Sequence, residues 1–246
     1  PGLFVERIDP NFIKSTLASL PEGVVVISGT NGKTTTTKMV VELLESQGLK
    51  VFTNRTGSNF TRGVAAALLG EIDLRGRLHA DIAVLELDEA HAVHFVRTIA
   101  PRYSLILNVM RDQLDRFGEI DATTKLLKTI AQATTGTVVL NREDSRVARI
   151  HESLDTQHVS YFGLSDDLLP TFPSDDNLHG GKQHDKRPVA EVILKSFADT
   201  QATFSMSGQD ISTHLKLNGI YNVFNAAAAL ALVRSIVGEH IDQPAL

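Results

Sequence analysis

The feature that most constrains this chain is a glycine-rich turn between a predicted strand and a predicted helix. Residues 23–28 read Gly-Val-Val-Val-Ile-Ser, a short β-branched run typical of a buried strand. Residues 34–47 place their apolar side chains on one face of a helix, which Gly48 ends. A turn in this position is typical of α/β proteins and matches the setting of a phosphate-binding loop.

The turn itself, Gly29-Thr-Asn-Gly-Lys-Thr-Thr35, carries groups that bind phosphate. Glycines let successive N–H groups point inward at the start of a helix, where anions bind. Lys33 adds a positive charge, and the Thr34 hydroxyl is placed to hold Mg²⁺. Ile27 stands where the longer common loop has its first glycine, so this loop is a shortened variant and a nucleotide switch or motor is disfavoured. The competing interpretation is a chance Gly-Lys-Thr in an ordinary strand–helix turn.

Strands and helices continue to alternate along the first 150 residues, which predicts an α/β fold with a three-layer, mostly parallel sheet. Residues 163–188 are polar and contain prolines and glycines, so an exposed loop is expected there. Segments 189–197, 202–206 and 211–217 predict a small antiparallel β appendage. An alanine-rich helix over 222–237 closes the fold. We expect an N-terminal lead-in at 1–20 and one domain at 21–240.

Composition excludes several classes of protein. The chain has no cysteine, so disulfides, cysteine nucleophiles and thiolate zinc sites are impossible. Its 24 basic and 29 acidic residues give a net charge of −5, which disfavours a nucleic-acid-binding protein. No apolar run was expected to span a membrane. These observations predict a cytoplasmic protein without a nucleic-acid partner.

Five segments resemble, in order, the motifs of the Mur ligase family, the ATP-dependent ligases of cell-wall synthesis. The phosphate loop resembles the nucleotide loop of that family, and the segment at 84–87 resembles the strand whose glutamate holds magnesium. Segments 107–117, 139–144 and 217–227 resemble the family's remaining motifs, the last of which lies near the adenine. The resemblance implies a P-loop domain like the Mur ligase central domain, with ATP and Mg²⁺ as its ligands.

The resemblance also implies roles for particular residues. Lys33 and Glu86 would be catalytic, and Thr34 and Glu86 would hold the metal. The segment Glu86-Leu-Asp-Glu89 ends a predicted strand, which makes its last two residues further candidates. The implied nucleotide ligands are Gly29, Thr30, Asn31, Gly32, Lys33, Thr34, Thr35, Asn59, Asn222 and Asn225, and the additional candidates are Asp88, Glu89, Asp112, Gln113 and Lys125.

The roles of three of these candidates are open to more than one interpretation. Gln113 replaces the metal-binding histidine of the family, which puts a second metal in doubt because an amide is a poorer ligand than imidazole. Asp112 is either a substrate or metal ligand or part of a surface salt-bridge network. Lys125 corresponds loosely to a lysine that is carbamylated in some Mur ligases.

Within the family, Gln113 and Tyr221 together with segment 53–59 resemble the MurT branch. That branch is the synthetase subunit of lipid II isoglutaminyl synthase, which works with GatD, a glutamine amidotransferase. The resemblance implies amidation of the D-glutamate α-carboxyl of lipid II with ammonia from a GatD-type partner, at the inner face of the membrane. Relatives often carry a zinc ribbon where this chain has 163–188, so no zinc is expected. The C-terminal Mur ligase domain is expected to be absent from this chain.

Two alternatives stay open. The first is an amino-acid-adding ligase, such as a Mur ligase or folylpolyglutamate synthase, although folylpolyglutamate synthase loops tend to read Gly-Lys-Gly-Ser. The second is a nucleotide-binding scaffold fragment that has no turnover on its own, because the C-terminal Mur ligase domain is expected to be absent.

Overall fold

The computed structural model describes residues 8–54, 61–110, 119–172, 187–216, 219–238 and 241. The first half contains α1 Phe12–Leu17, β1 Gly23–Ser28, α2 Lys33–Ser46, β2 Val51–Thr53, α3 Thr61–Glu71, β3 Ile82–Glu86, α4 Glu89–Val96 and β4 Tyr103–Ile106. The second half contains α5 Glu119–Ala133, β5 Thr137–Asn141, α6 Ser145–Ala148, β6 His158–Leu164, β7 Val192–Ala198, β8 Gln201–Met206, β9 Gln209–His214 and α7 Ile220–Val237. Short 3-10 helices follow α6 at Arg149–Ser153 and β6 at Asp166–Thr171.

The described strands form a nine-stranded sheet in the order β2-β3-β1-β4-β5-β6-β7-β8-β9. Every pair from β2 to β7 is parallel, whereas β7-β8 and β8-β9 are antiparallel. The predicted α/β class with a mostly parallel sheet is therefore confirmed. The antiparallel strands form the predicted appendage, and they continue the main sheet because β7 also pairs with β6.

Helices cover both faces of the sheet, and strand β1 shows how the sequence produces this. Val25 and Ile27 join a core with α2 and α7, whereas Val24 and Val26 join a second core with α1 and α3–α6. All four side chains are buried, as expected for a central parallel strand with apolar residues in succession. Each contributes roughly 1.5 kcal/mol or more through its burial. The carboxyl ends of the parallel strands form the edge at which sites develop in α/β sheets.

Helix α7 is the one described helix that is long and apolar enough to cross a membrane by length and composition. The expectation that no apolar run would reach that length was therefore wrong. Half of the helix is buried within the structure, and residues 226–233 all lie in the core against the sheet and α2. Packing between a sheet and a neighbouring helix accounts for its uniform hydrophobicity.

The predicted polar loop at 163–188 differs from the structure at its N-terminal end. Residues 163–164 complete β6, and a 3-10 helix at Asp166–Thr171 follows, after which Phe172 is buried. Residues 173–186 lie outside the described residues. The polar residues at 165–167 concealed this order, because the two aspartates are exposed while Phe172 is buried and contacts Phe197 and Phe224.

A buried ion-pair network fastens the base of this segment to the sheet. Glu143 accepts hydrogen bonds from Arg142 Nε at 2.9 Å and from Arg187 Nη1 at 3.0 Å, and its side chain is 8% exposed. The backbone N–H of Leu164 also donates to Glu143, at 2.7 Å. Arg187 further pairs with Asp166, and these contacts raise the pKa of Arg187 despite the opposing effect of its partial burial. The network joins β5, β6 and the approach to β7.

Candidate functional site

The turn between β1 and α2 requires its two glycines for different reasons. Gly32 has a φ of 87° and Gly29 a φ of 137°, both in the region that other residues rarely adopt. A Cβ on Gly29 would lie 3.0 Å from the backbone nitrogen of Asn108. A Cβ on Gly32 would lie 2.7 Å from Oδ1 of Asn225, at the start of α7. The predicted loop therefore forms, and it lies directly against α7.

Asn108, which follows β4, fixes the shape of this loop. Its carbonyl accepts from the N–H of Thr30 at 3.0 Å, and its side-chain oxygen accepts from the N–H of Asn31 at 2.9 Å. Its amide nitrogen donates back to the Asn31 carbonyl at 3.0 Å. The Thr30 hydroxyl accepts from the N–H of Met110 at 3.2 Å. Two strand ends thus hold the loop in one conformation before any ligand arrives.

A second layer of contacts supports the segment that contains Asn108. Asp144 caps α6, accepting from the N–H groups of Arg146 at 3.0 Å and Val147 at 3.1 Å, and it also accepts from the N–H of Val109 at 2.7 Å. Burial raises the pKa of Asp144, and these three hydrogen bonds oppose that rise. Asn141 donates to the Leu107 carbonyl at 2.8 Å. The segment at 139–144 therefore positions the loop indirectly.

Lys33 is the first residue of α2, and its ammonium group folds back over the loop. Nζ donates to the carbonyls of Gly29 at 2.6 Å and Thr30 at 3.1 Å. It also pairs with Asp88 Oδ1 at 3.4 Å. The Lys33 side chain is 12% exposed, so its charge is held close against the loop.

Thr34 and Glu86 bring two oxygen ligands together. The Thr34 hydroxyl donates to Glu86 Oε1 at 2.7 Å. The main chain of Glu86 is held in both directions by Asn54, whose amide nitrogen donates to the Glu86 carbonyl at 2.8 Å and whose oxygen accepts from the Glu86 N–H at 3.0 Å. A carboxylate and a hydroxyl at adjacent positions suit a hard cation such as Mg²⁺.

These groups surround a cavity of about 370 Å³. Residues from the loop and from the end of β3 line it, and they are Thr30, Asn31, Gly32, Lys33, Thr34, Thr35, Glu86 and Asp88. One side of this cavity is therefore a loop of backbone amides with a lysine, and the other side is acidic. Such a cavity can receive an anionic group together with a divalent cation.

The other candidates are placed less centrally. Glu89 begins α4 and is half-buried, but it does not line the cavity. Lys125 lies exposed on α5 and is likewise outside the lining. Asn222 lies in the first turn of α7, one turn before Asn225, and its N–H donates to the Gly219 carbonyl at 3.0 Å. Asn59, Asp112 and Gln113 lie outside the described residues.

Sequence reasoning missed the supporting roles of Asn54 and Asn108. Asn54 directly follows β2, and Asn108 lies two residues beyond the end of β4. That shared placement at the carboxyl edge was the available signal. Their partners could not be anticipated, because Asn108 contacts a loop 77 residues earlier in the chain.

Comparison with known proteins links this geometry to a family. The sequence profile of the Mur ligase middle domain matches residues 27–233. Lipid II isoglutaminyl synthase (glutamine-hydrolyzing) subunit MurT from Streptococcus pneumoniae is 30% identical, over 95% of this chain and 57% of its own length. UDP-N-acetylmuramoylalanine–D-glutamate ligase from Burkholderia cenocepacia is 30% identical, over 87% of this chain and 43% of its own length.

A solved structure supports the same fold. MurF ligase from Thermotoga maritima in complex with ADP has a TM-score of 0.72 at 19% identity, covering 96% of this chain and 52% of that chain. This chain spans about half the length of the curated relatives that it matches. Because the matched profile runs from the end of β1 into α7, the chain belongs to the Mur ligase family through its middle domain.

Proposed function

We propose that this chain is the nucleotide-binding part of an ATP-dependent amide-forming synthetase of peptidoglycan synthesis. Its substrate would be the D-glutamate α-carboxyl of the lipid II stem peptide, which is converted to D-isoglutamine. The observation that carries the proposal is the cavity in which Lys33 and the loop amides face Thr34 and Glu86, with a Thr34–Glu86 distance of 2.7 Å. The similarity to MurT over 95% of the chain supports the choice of substrate.

The chemistry follows from the poor reactivity of a free carboxylate. A carboxylate oxygen attacks the γ-phosphorus of ATP, the bond to the bridging oxygen breaks, and ADP leaves. Ammonia then attacks the acyl phosphate carbon, a proton is lost, and inorganic phosphate departs. Neutralising and positioning the transferring phosphoryl group is the main task of the protein in such reactions.

The described residues divide this task between them. The N–H groups of residues 32–35 at the start of α2 and the Lys33 ammonium would hold the β- and γ-phosphates. Thr34 and Glu86 fit Mg²⁺, because both offer oxygen donors and Asn54 fixes the Glu86 backbone. A bound Mg²⁺ would neutralise charge on the phosphate oxygens.

Further positions follow from the same proposal. Asn225, next to Gly32, and Asn222 one turn earlier would face the adenine, and Asn59 would lie near the γ-phosphate. Residues 21–240 would form the nucleotide-binding domain after a lead-in at 1–20. The partner would be a GatD-type glutamine amidotransferase that supplies ammonia, and the enzyme would act in the cytoplasm at the inner face of the membrane.

The test uses the full-length gene product incubated with ATP, Mg²⁺, lipid II and ammonium chloride, followed by mass spectrometry. The proposal predicts ADP release together with the small mass change that converts a carboxylic acid to an amide. The Lys33→Ala variant should lose this turnover, and near-normal turnover in that variant would contradict the assignment of the loop. ATP hydrolysis with no change in lipid II would contradict the substrate.

A second function is favoured by the similarity to UDP-N-acetylmuramoylalanine–D-glutamate ligase, which equals MurT in percentage identity over a slightly shorter part of the chain. An amino-acid-adding ligase would use the same activation but a different nucleophile. In the same assay with amino acids present, it would add the mass of a whole residue. A scaffold without turnover would bind ATP and form neither product.

A further inference from the structure

In the ligand-free loop, Lys33 already forms an ion pair with Asp88. The ammonium group lies 3.4 Å from Asp88 Oδ1, in addition to its two contacts with loop carbonyls. The Lys33 side chain is 12% exposed and that of Asp88 is 44% exposed. Asp88 thus gives Lys33 the negatively charged partner that a bound phosphate would otherwise provide.

Asp88 also occupies the N-cap position of α4 without capping it. Its φ of −64° and ψ of 150° are those of an N-cap residue, and aspartate is among the residue types preferred there. However, its side chain makes no cap hydrogen bond. By contrast, Asp144 at the N-cap of α6 accepts from two N–H groups of its own helix. The side chain of Asp88 is therefore diverted from its usual partner towards Lys33.

We propose that Asp88 is a positioning residue with two alternative partners. In the empty site Asp88 pairs with Lys33. When a nucleotide phosphate binds Lys33 instead, the Asp88 carboxylate rotates and caps α4. This inference rests on the proposed nucleotide-binding function. Because the backbone of Asp88 already has N-cap geometry, the change needs only rotation of one side chain.

Two consequences follow from the exchange. First, Asp88 competes with phosphate for Lys33. Nucleotide binding is therefore weakened by the free energy needed to break the Lys33–Asp88 pair. Second, nucleotide binding stabilises the first turn of α4, which links the loop to the helix that begins with Glu89. A ligand that favours one of two side-chain positions shifts the population of that position.

The binding experiment uses the 246-residue chain and ATP without Mg²⁺, measured by titration calorimetry. Asp88→Ser keeps a side chain that can cap α4 but cannot pair with Lys33. It is expected to bind ATP about threefold to fivefold more tightly than the unmodified chain, the effect of removing a partly exposed ion pair. Glu42→Gln is the matched control, because it removes one charge from α2 in an exposed pair with Lys216, and it should leave the affinity unchanged.

The second readout is hydrogen exchange at the amide of Ala90, a position that an N-cap side chain serves. In the unmodified chain, ATP should slow the exchange of this amide. In Asp88→Ser the amide should be protected before ATP is added, and in Asp88→Ala it should stay unprotected with ATP bound.

The outcomes separate this inference from the function on which it rests. No ATP binding by the unmodified chain, or equal binding by Lys33→Ala, would overturn the proposed function. Normal binding by the unmodified chain with unchanged or weaker binding in Asp88→Ser would overturn the inference alone. ATP-dependent protection of α4 that persists in Asp88→Ala would overturn the exchange of partners.

Discussion

Two glutamates near the carboxyl edge of the sheet are surrounded in opposite ways. Glu86 ends β3, contacts the Thr34 hydroxyl and lines the cavity beside the loop. Glu143 follows β5 and is enclosed by Arg142, Arg187 and the N–H of Leu164. Both side chains are largely buried, and among the described residues Glu86 lines a cavity while Glu143 is enclosed by its hydrogen-bond donors. Burial of a carboxylate therefore does not identify a site, whereas the partners of the carboxylate do.

The contrast extends to what surrounds each group. The region of Glu86 is built from a tight loop, two asparagines and a lysine that contacts loop carbonyls. The region of Glu143 is built from two guanidinium groups that hold separate strands together. In a binding site, some polar side chains must be able to exchange a protein partner for a ligand. In a structural network, the charged side chains are paired with one another.

The largest expected effect is on catalysis in Glu86→Gln. An amide is a poor ligand for Mg²⁺, so turnover of Mg·ATP by the full-length gene product should fall about 1000-fold. The free energy of unfolding should change by less than about 1 kcal/mol, because Asn54 still holds the backbone at this position. Steady-state ADP release and urea unfolding measure the two quantities. Turnover within a few-fold of normal would remove Glu86 from the metal site.

The next effect is on stability in Glu143→Gln. Loss of the charge leaves Arg142 and Arg187 facing one another inside the protein, which should cost about 3 kcal/mol of unfolding free energy. Affinity for ATP should be retained while the protein is folded. Asp210→Asn is the control, since Lys195 and Asp210 pair at 2.8 Å but both are nearly half exposed, and its cost should stay below about 1 kcal/mol. Equal costs in the two variants would contradict the structural role of Glu143.

The sequence predicted that Thr34 and Glu86 would lie together, as they do, but it indicated nothing about the contacts of Glu143. The loop at 29–35 could be found because its glycines, lysine and threonines are consecutive, and Glu86 because it ends an apolar run. The network around Glu143 joins residues 44 positions apart, so no local pattern reveals it. The same reason explains why the last two residues of β6 and the 3-10 helix after it were assigned to a loop.

A smaller effect is expected from substitutions of two threonines in α2, Thr34 and Thr37. The Thr34 hydroxyl contacts Glu86, whereas the Thr37 hydroxyl is buried without a hydrogen-bond partner in the part of the chain that the structure describes. Thr37→Val should stabilise the protein by about 1 kcal/mol, because an unsatisfied buried hydroxyl is removed. ATP affinity should be unchanged. Thr34→Val should instead weaken Mg·ATP binding, and similar behaviour of the two variants in calorimetry and thermal unfolding would contradict the assignment.

The smallest effect concerns pH and Tyr161 in β6. Burial raises the pKa of Tyr161 to about 12, so the folded state favours the neutral phenol. Its contribution to stability is complete below the unfolded pKa of about 10 and is lost as the pH rises towards 12. Tyr161→Phe should therefore show a shallower fall in unfolding free energy above pH 10. Its cost at neutral pH should be only about 0.5 kcal/mol, because the Ala148 carbonyl keeps its contact with His151 Nδ1 at 2.7 Å. An unchanged alkaline slope would contradict the buried phenol.

The most direct test of the nucleotide site is a crystal structure of this chain with Mg²⁺ and a non-hydrolysable ATP analogue. We expect the triphosphate to lie on the 29–35 loop, with Lys33 on a phosphate and Mg²⁺ between Thr34 and Glu86. We also expect the Lys33–Asp88 pair to be broken. A nucleotide bound elsewhere, such as in the cavity of about 520 Å³ between α5 and α6, would contradict the assignment of this loop.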